Sequence, residues 1–144
     1  MALFNSKDQK LIREAIEAAE KQTSGEIRVC VEKKCNQDTL DRATDCFKKL
    51  SLDKTAQRNG VLIYIAIDDK KFAILGDTGI HQVVPVDFWH TTKETMRNHF
   101  KQNQLIEGII HGIKMAGEKL EIYFPYLVDD KNELPDDIAF LDEN

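Results

Sequence analysis

The sequence has no long hydrophobic run. The longest, VLIYIAI at 61–67, has the length of a β-strand and falls far short of the ~20 apolar residues that a membrane-spanning helix needs. The opening MALFNSKDQK becomes charged within a few positions and holds no apolar segment typical of a secretion signal. We therefore expect no membrane insertion and a cytoplasmic location.

Cysteine is also scarce. The chain has three cysteines, Cys30, Cys35 and Cys46, and no CxxC spacing. An odd number without that spacing argues against a disulfide framework and against a zinc site. Cys30 falls in a strand pattern and Cys46 in a helix pattern, so we expect buried or half-buried thiols.

The chain has no basic excess, and its acidic excess is local. The 144-residue chain has a net charge of −5, and residues 129–144 alone hold seven acidic residues and one lysine. The remainder is close to neutral and lacks the basic face that nucleic-acid binding needs. We predict a single domain over 1–127 and an acidic, mobile tail over 128–144.

Recognisable catalytic motifs are missing as well. No cysteine has an arginine six positions later, and Asp68–Asp69 follows a strand without the spacing of a DxDx[TV] nucleophile. GDTG occurs without a GNH[DE] partner motif, and the sequence contains no HExxH, phosphate-binding P-loop, GxSxG or EF-hand loop. No motif in the sequence therefore identifies a nucleophile or a general base.

Hydrophobic periodicity predicts an α/β fold with a small mixed sheet. EIRVCV alternates as a half-buried strand, and the continuous GVLIYIAI is typical of a central strand. A helix between them implies a parallel pair, and the DDKK turn returns KFAILGD as an antiparallel third strand. Gly108 and Gly112, four residues apart in the last helix, indicate close helix packing. The predicted helices span 6–22, 38–50, 88–101 and 104–122.

This topology brings three connections to one end of the sheet. Parallel first and second strands start at the same end, and the antiparallel third strand finishes there. Glu26 and Asp77 therefore lie at this end, together with Asp87 at the close of the following loop. Asp68 and Asp69 lie at the opposite end.

Crowded carboxylates favour a cation. Glu26, Asp77 and Asp87 repel one another unless a proton or a metal ion neutralises them. Hard cations take carboxylate and carbonyl oxygens, and several carbonyls in a glycine-bearing loop favour Ca²⁺ over Mg²⁺. Further candidate ligands or loop supports are Asn59, Asp53, Thr78, His81 and the VVPV backbone.

Each of these residues also has a purely structural interpretation. Asp77 could cap a turn beside Gly79, and Asp87 could cap the helix that follows. Glu26 could be a solvated residue at a strand end. His81 could hydrogen-bond the loop backbone instead of serving as an acid or as a neighbour of the metal.

The chain resembles the TPM domain family. The resemblance is carried, in order, by AAEKQTSGEIRV, RNGVLIYIAIDDKKFAILGDTGIH, FW and GIIHGIKMAGEKLEIYFPY. It implies a three-layer α/β/α sandwich around a small mixed β-sheet. It also implies a divalent metal at the sheet-end loops, with Asp77 and Asp87 at matching positions.

Two functions follow as expectations. Some members of the family are acid phosphatases, whereas others modulate or help to assemble membrane complexes. The first hypothesis is a non-catalytic, monomeric module in which Ca²⁺ or Mg²⁺ orders the loops for regulation or for an unknown protein partner. The alternative is a weak metal-dependent acid phosphatase at the same loops.

Overall fold

Helices and strands alternate along the chain as an α/β fold requires. The structure, a computed structural model, describes residues 4–126 and 138–141. Its elements are α1 (Ser6–Glu20), β1 (Glu26–Glu32), α2 (Thr39–Lys49), a 3₁₀ turn (Leu52–Lys54), β2 (Gly60–Ala66), β3 (Lys71–Gly76), α3 (Thr78–His81), α4 (His90–Lys101), α5 (Leu105–Tyr123) and β4 (Ile138–Phe140).

The four strands form one mixed sheet in the order β3-β2-β1-β4. β1 and β2 are parallel, whereas β2 and β3 form an antiparallel hairpin. The central strand β2 is buried along its whole length, because helices cover both of its faces. The predicted strands and their directions are therefore confirmed.

The helices lie in two layers, one on each face of the sheet. Val29 and Ile63 pack in a core with residues of α1, α4 and α5. Their chain neighbours Cys30 and Tyr64 pack on the opposite face with α2, because successive side chains of a strand point to opposite faces. The predicted three-layer α/β/α sandwich is confirmed, and Cys30, Cys35 and Cys46 are buried free thiols, as expected.

Two glycines allow α4 and α5 to approach closely. A Cβ at Gly108 would lie 2.5 Å from a ring carbon of Phe100, and one at Gly112 would lie 2.5 Å from the sulfur of Met96. Both contacts are far shorter than van der Waals distances, so the two glycines make this packing possible. Among the described residues, no helix is both long and apolar enough to cross a bilayer.

A partly buried ion pair joins α2 to the sheet. The Glu32 carboxylate accepts hydrogen bonds from Arg42 Nε at 2.8 Å and Nη2 at 2.9 Å, and a third from the Tyr64 hydroxyl. Burial alone would raise the pKa of Glu32, but the bonds from Arg42 and Tyr64 hold this pKa below its ordinary value. Burial and the bond to Glu32 raise the pKa of Tyr64, so the phenol stays protonated.

The acidic C-terminal segment contributes a strand that the sequence did not suggest. Residues 138–140 pair in parallel with β1, from Val29 opposite Ile138 to Val31 opposite Phe140. The expectation of a mobile tail over 128–144 is therefore wrong for 138–141, because the apolar IAFL segment completes the sheet edge and its Ile138 side chain is buried. The rest of that tail lies outside the described residues.

Candidate functional site

The candidate site lies where β1 and β2 begin and β3 ends. Glu26 is paired with Gly60 across the parallel strands, and Val61 is paired with Gly76 across the hairpin. Asp77 follows directly, and its amide donates to the Gly60 carbonyl at 2.9 Å. The predicted convergence of these connections is confirmed.

Asp68 and Asp69 are at the far end of the sheet, as predicted from the topology. The Asp68 amide donates to the Lys33 carbonyl at 2.7 Å. The Asp69 carboxylate accepts a hydrogen bond from the Cys35 amide, also at 2.7 Å. These contacts tie the turn after β2 to the residues that follow β1.

Asp77 already has a cation as its partner. Its side chain is buried, and its two carboxylate oxygens accept hydrogen bonds from Arg58 Nε at 2.6 Å and Nη2 at 2.9 Å. The Arg58 side chain is 48% exposed. The hydrogen bond and the charge of Asp77 raise the pKa of Arg58, so the guanidinium remains charged.

The same carboxylate also caps a short helix. Asp77 accepts a hydrogen bond from the Thr78 amide at 2.7 Å and is the N-cap of α3. Residues 78–81 form a helix where the sequence predicted a loop, and the Thr78 and Ile80 carbonyls accept from amides of residues 82–84. The turn-cap interpretation of Asp77 is therefore correct, and it coexists with the Arg58 pair.

Gly79 holds this segment against the chain before β2. Its amide donates to the Arg58 carbonyl at 2.9 Å. A Cβ at this position would lie 2.2 Å from the Gln57 carbonyl oxygen and 2.6 Å from that of Arg58. Backbone atoms cannot yield as a flexible side chain can, so this approach requires glycine.

Asn59 and Glu26 are both buried, and the Glu26 backbone amide donates to the Asn59 carbonyl at 3.4 Å. The backbone amide of Asn59 donates to Thr55 Oγ1 at 3.2 Å. The Thr55 hydroxyl in turn donates to the side-chain oxygen Oδ1 of Asn59 at 3.4 Å. Asn59 Nδ2 donates to Ser24 Oγ at 3.4 Å. The side-chain oxygen of Asn59 is thus engaged by Thr55 within the chain before β2, and its side-chain nitrogen ties this chain to the turn before β1.

Asp53 brings a second carboxylate to Arg58. It lies in the 3₁₀ turn, and its charge contributes to the raised pKa of Arg58. Its Oδ1 atom is buried and has no hydrogen-bond partner among the described residues. An oxygen in that position is under-solvated and can accept a cation.

Asp87 and His81 take more peripheral positions. Both side chains are exposed. Trp89, not Asp87, is the N-cap residue of α4, while the Asp87 carbonyl accepts from the His90 amide at 3.0 Å. His81 ends α3, and its amide donates to the Asp77 carbonyl at 3.2 Å.

The predicted acidic ligands are not assembled into one cluster. Within residues 4–126 and 138–141, no group of three or more His, Cys, Asp or Glu side chains is arranged to hold a metal ion. The structure pairs Asp77 with Arg58 and adds Asp53 nearby. Arg58 is not among the residues predicted from the sequence, although a basic residue in the RNG segment that enters β2 was an available signal.

Comparison with known proteins relates the chain to one family and to solved structures with the same fold. The family model for the TPM domain matches residues 1–119. The NMR structure of the BA42 protein from the psychrophilic bacterium Bizionia argentinensis is 47% identical, with 96% of each chain covered and a TM-score of 0.91. No curated protein matches the chain.

Two distant solved structures share the fold. The N-terminal domain of a P. gingivalis protein is 14% identical and has a TM-score of 0.70, with 85% of this chain and 80% of that chain covered. The N-terminal domain of cg2496 from Corynebacterium glutamicum is 10% identical and has a TM-score of 0.65, with 99% of this chain and 84% of that chain covered.

Proposed function

The chain belongs to the TPM domain family, and on that premise we propose that it is a non-catalytic module that binds a divalent cation at Asp77. In this proposal Mg²⁺ or Ca²⁺ takes the place of the Arg58 guanidinium. The observation that carries the proposal is the Arg58–Asp77 pair, in which a buried carboxylate is neutralised by a half-exposed side chain.

The charges around Arg58 fit an exchange of cations. Asp77 and Asp53 supply two negative charges against one guanidinium, and Asp53 Oδ1 is buried with no partner among the described residues. A divalent ion would neutralise both carboxylates, whereas Arg58 neutralises one. The Arg58 side chain can leave at small cost, because it is exposed to water already.

The available oxygens alter the expected choice of metal. The sequence favours Ca²⁺, because carbonyls of a flexible loop can complete its six to eight oxygen ligands. Several of those carbonyls are used in α3 turns. One or two carboxylates with bound water are the usual ligands of Mg²⁺, so the described contacts support Mg²⁺ at least as well as Ca²⁺.

The proposed output is a change in the loop after α3. Release of the Arg58 guanidinium would remove the side-chain link between the chain before β2 and Asp77, while the backbone bond from the Gly79 amide to the Arg58 carbonyl would remain. This loop carries Val83 and Val86, which are 51% and 109% exposed. We propose that the cation sets the position of these residues for a protein partner.

The test is a titration of metal-stripped protein with Mg²⁺ and Ca²⁺, followed by backbone amide NMR. Saturable shifts at residues 53–59 and 76–81 that vanish in Asp77→Asn support the proposal. Asp68→Asn is the matched control, because Asp68 is exposed at the opposite end of the sheet. Absence of saturable shifts up to millimolar metal would refute it.

The same samples distinguish the non-catalytic module from the alternative, a metal-dependent phosphatase. Metal-loaded protein is incubated with p-nitrophenyl phosphate. Turnover that requires the metal and disappears in Asp77→Asn would contradict the non-catalytic proposal and would indicate a phosphatase at the same loops. Metal binding without turnover supports the module.

A further inference from the structure

An open cavity lies at the end of the sheet opposite to Asp77. Its volume is about 700 Å³, within the ~300–1,000 Å³ range of small-molecule sites. The end of β2, the following hairpin, the C-terminal part of α4 and the start of α5 line it. It shares no lining residue with the proposed cation site.

The inner part of this cavity is apolar and aromatic. Phe72 and Phe100 meet edge to face there, with ring centroids 5.1 Å apart. Ile65, Ile67 and Leu105 complete the apolar lining. All five side chains are buried or half-buried, so a ligand could cover apolar surface that the fold leaves partly open to water.

The rim carries positive charge only. Lys70, Lys71, Arg97 and Lys101 line the cavity, and none of its lining residues is acidic. The Arg97 guanidinium lies over the Phe72 ring, 5.7 Å from its centroid.

Three carboxylates lie close to this rim, Asp68 and Asp69 in the turn that holds Lys70, and Glu94 on α4. Glu94 pairs with Arg97 Nη1 at 2.5 Å, and both side chains are about half-exposed. The Asp69 carboxylate, next to Lys70 in the chain, instead accepts from the Cys35 amide. The three lysines have no ion pair among the described residues, so the rim attracts an anion.

We propose that this cavity binds a small amphipathic organic anion, with an aromatic or acyl body and a carboxylate, sulfonate or phosphate head group. The body occupies the Phe72–Phe100 floor and the head group contacts the basic rim. The apolar floor and the cationic rim together select such a molecule over an inorganic anion or an apolar cation. This site is independent of the cation proposed at Asp77.

The first measurement is binding of 8-anilinonaphthalene-1-sulfonate to the full chain, by fluorescence and by amide NMR. The proposal predicts one saturable site, shifts centred on residues 65–72 and 97–105, and displacement by submillimolar dodecanoate. Inorganic phosphate and decyltrimethylammonium serve as head-only and opposite-charge probes. Either of them binding as tightly as dodecanoate would overturn the proposal.

Charge reversal at the rim provides the matched variants. Lys71→Glu combined with Lys101→Glu should weaken dodecanoate binding by at least about tenfold, because two attractive rim charges become repulsive. Lys10→Glu combined with Lys48→Glu reverses the same number of exposed charges elsewhere and should leave binding unchanged. Equal affinity in both pairs of variants would overturn the proposal.

Vesicles distinguish a soluble ligand from a membrane surface. Phosphatidylglycerol vesicles are mixed with the wild-type chain, and sedimentation is compared with that of phosphatidylcholine vesicles. The proposal predicts dodecanoate binding in solution whether or not vesicles are present. Capture by the anionic vesicles alone, with no dodecanoate binding, would overturn it in favour of a lipid surface.

Discussion

Replacement of Arg58 by glutamine should tighten divalent cation binding. In the proposed exchange, the metal ion and the guanidinium compete for the Asp77 carboxylate, which Arg58 holds through two hydrogen bonds of 2.6 and 2.9 Å. Glutamine keeps a polar side chain and removes the charge. The metal-free variant should be less stable than wild type, because the buried carboxylate loses its counter-ion.

The expected change in the Kd for metal follows from the exposure of the Arg58 side chain. The Arg58 side chain is 48% exposed, and half-exposed ion pairs contribute modestly because water competes for both partners. We therefore expect the Kd for Mg²⁺ or Ca²⁺ to fall by about twofold to fivefold in Arg58→Gln. A cation at a hundred times its Kd stabilises the fold by about 2.7 kcal/mol, so metal should narrow the difference in Tm between variant and wild type.

Isothermal titration calorimetry and thermal unfolding, each with and without metal, measure both effects. Arg97→Gln is the matched control, since Arg97 also forms a half-exposed ion pair but lies at the opposite end of the sheet. Its Kd for metal should equal that of wild type. Metal binding that is unchanged or weaker in Arg58→Gln would refute the competition.

Three further predictions concern the fold that positions the site. Glu32→Ala should lower the free energy of unfolding by about 2 kcal/mol, because it removes an acceptor of the buried Tyr64 hydroxyl and the counter-ion of Arg42. The pKa of Glu32 is held below its ordinary value, so its contribution is complete above the ordinary pKa of a glutamate and is lost as pH falls through the lower pKa of the folded state. Gly79→Ala should lower the free energy of unfolding by about 2 kcal/mol, because its Cβ would overlap backbone oxygens. It should also shift the amide NMR signals of residues 57–58 and 76–81. Gly112→Val should lower the free energy of unfolding by about 1–3 kcal/mol, because the larger side chain would push α4 away from α5.

Matched variants test the reason given for each of these costs. Glu14→Ala removes an exposed pair with Lys10 and should change the free energy of unfolding by less than about 0.5 kcal/mol. Gly76→Ala adds a Cβ 3.3 Å from a flexible Ile80 methyl group, so it should perturb the loop less than Gly79→Ala. Lys114→Ala, exposed on α5, should be nearly neutral. Urea unfolding measures all of them, and equal costs within any pair would contradict the stated cause.

The central sheet was predictable because its signals are local. β1 alternates, β2 is continuously apolar, and a four-residue turn joins β2 to β3, so each strand and its direction follow from adjacent residues. β4 was not predictable in this way. It is three residues long in an acidic segment, and its burial depends on pairing with β1 more than a hundred residues earlier in the chain.

The candidate site was predictable in its location but not in its contacts. Topology alone placed Glu26 and Asp77 at one end of the sheet. The ion pair with Arg58 joins residues 19 apart in the chain, and hydrophobic periodicity contains no information on which charged side chains meet. The sequence predicts a loop where α3 forms, because four residues are too few to show a helical period.

The exchange of Arg58 for a metal ion is tested most directly by the NMR signal of the Arg58 Nε–Hε group. In metal-free protein this group donates to Asp77 Oδ2, so its proton should resonate downfield and exchange slowly with water. Titration with Mg²⁺ or Ca²⁺ should return the signal to the position of a solvated arginine, with the same Kd as the shifts at residues 76–81. A signal that stays downfield and protected while metal saturates those residues would contradict the account.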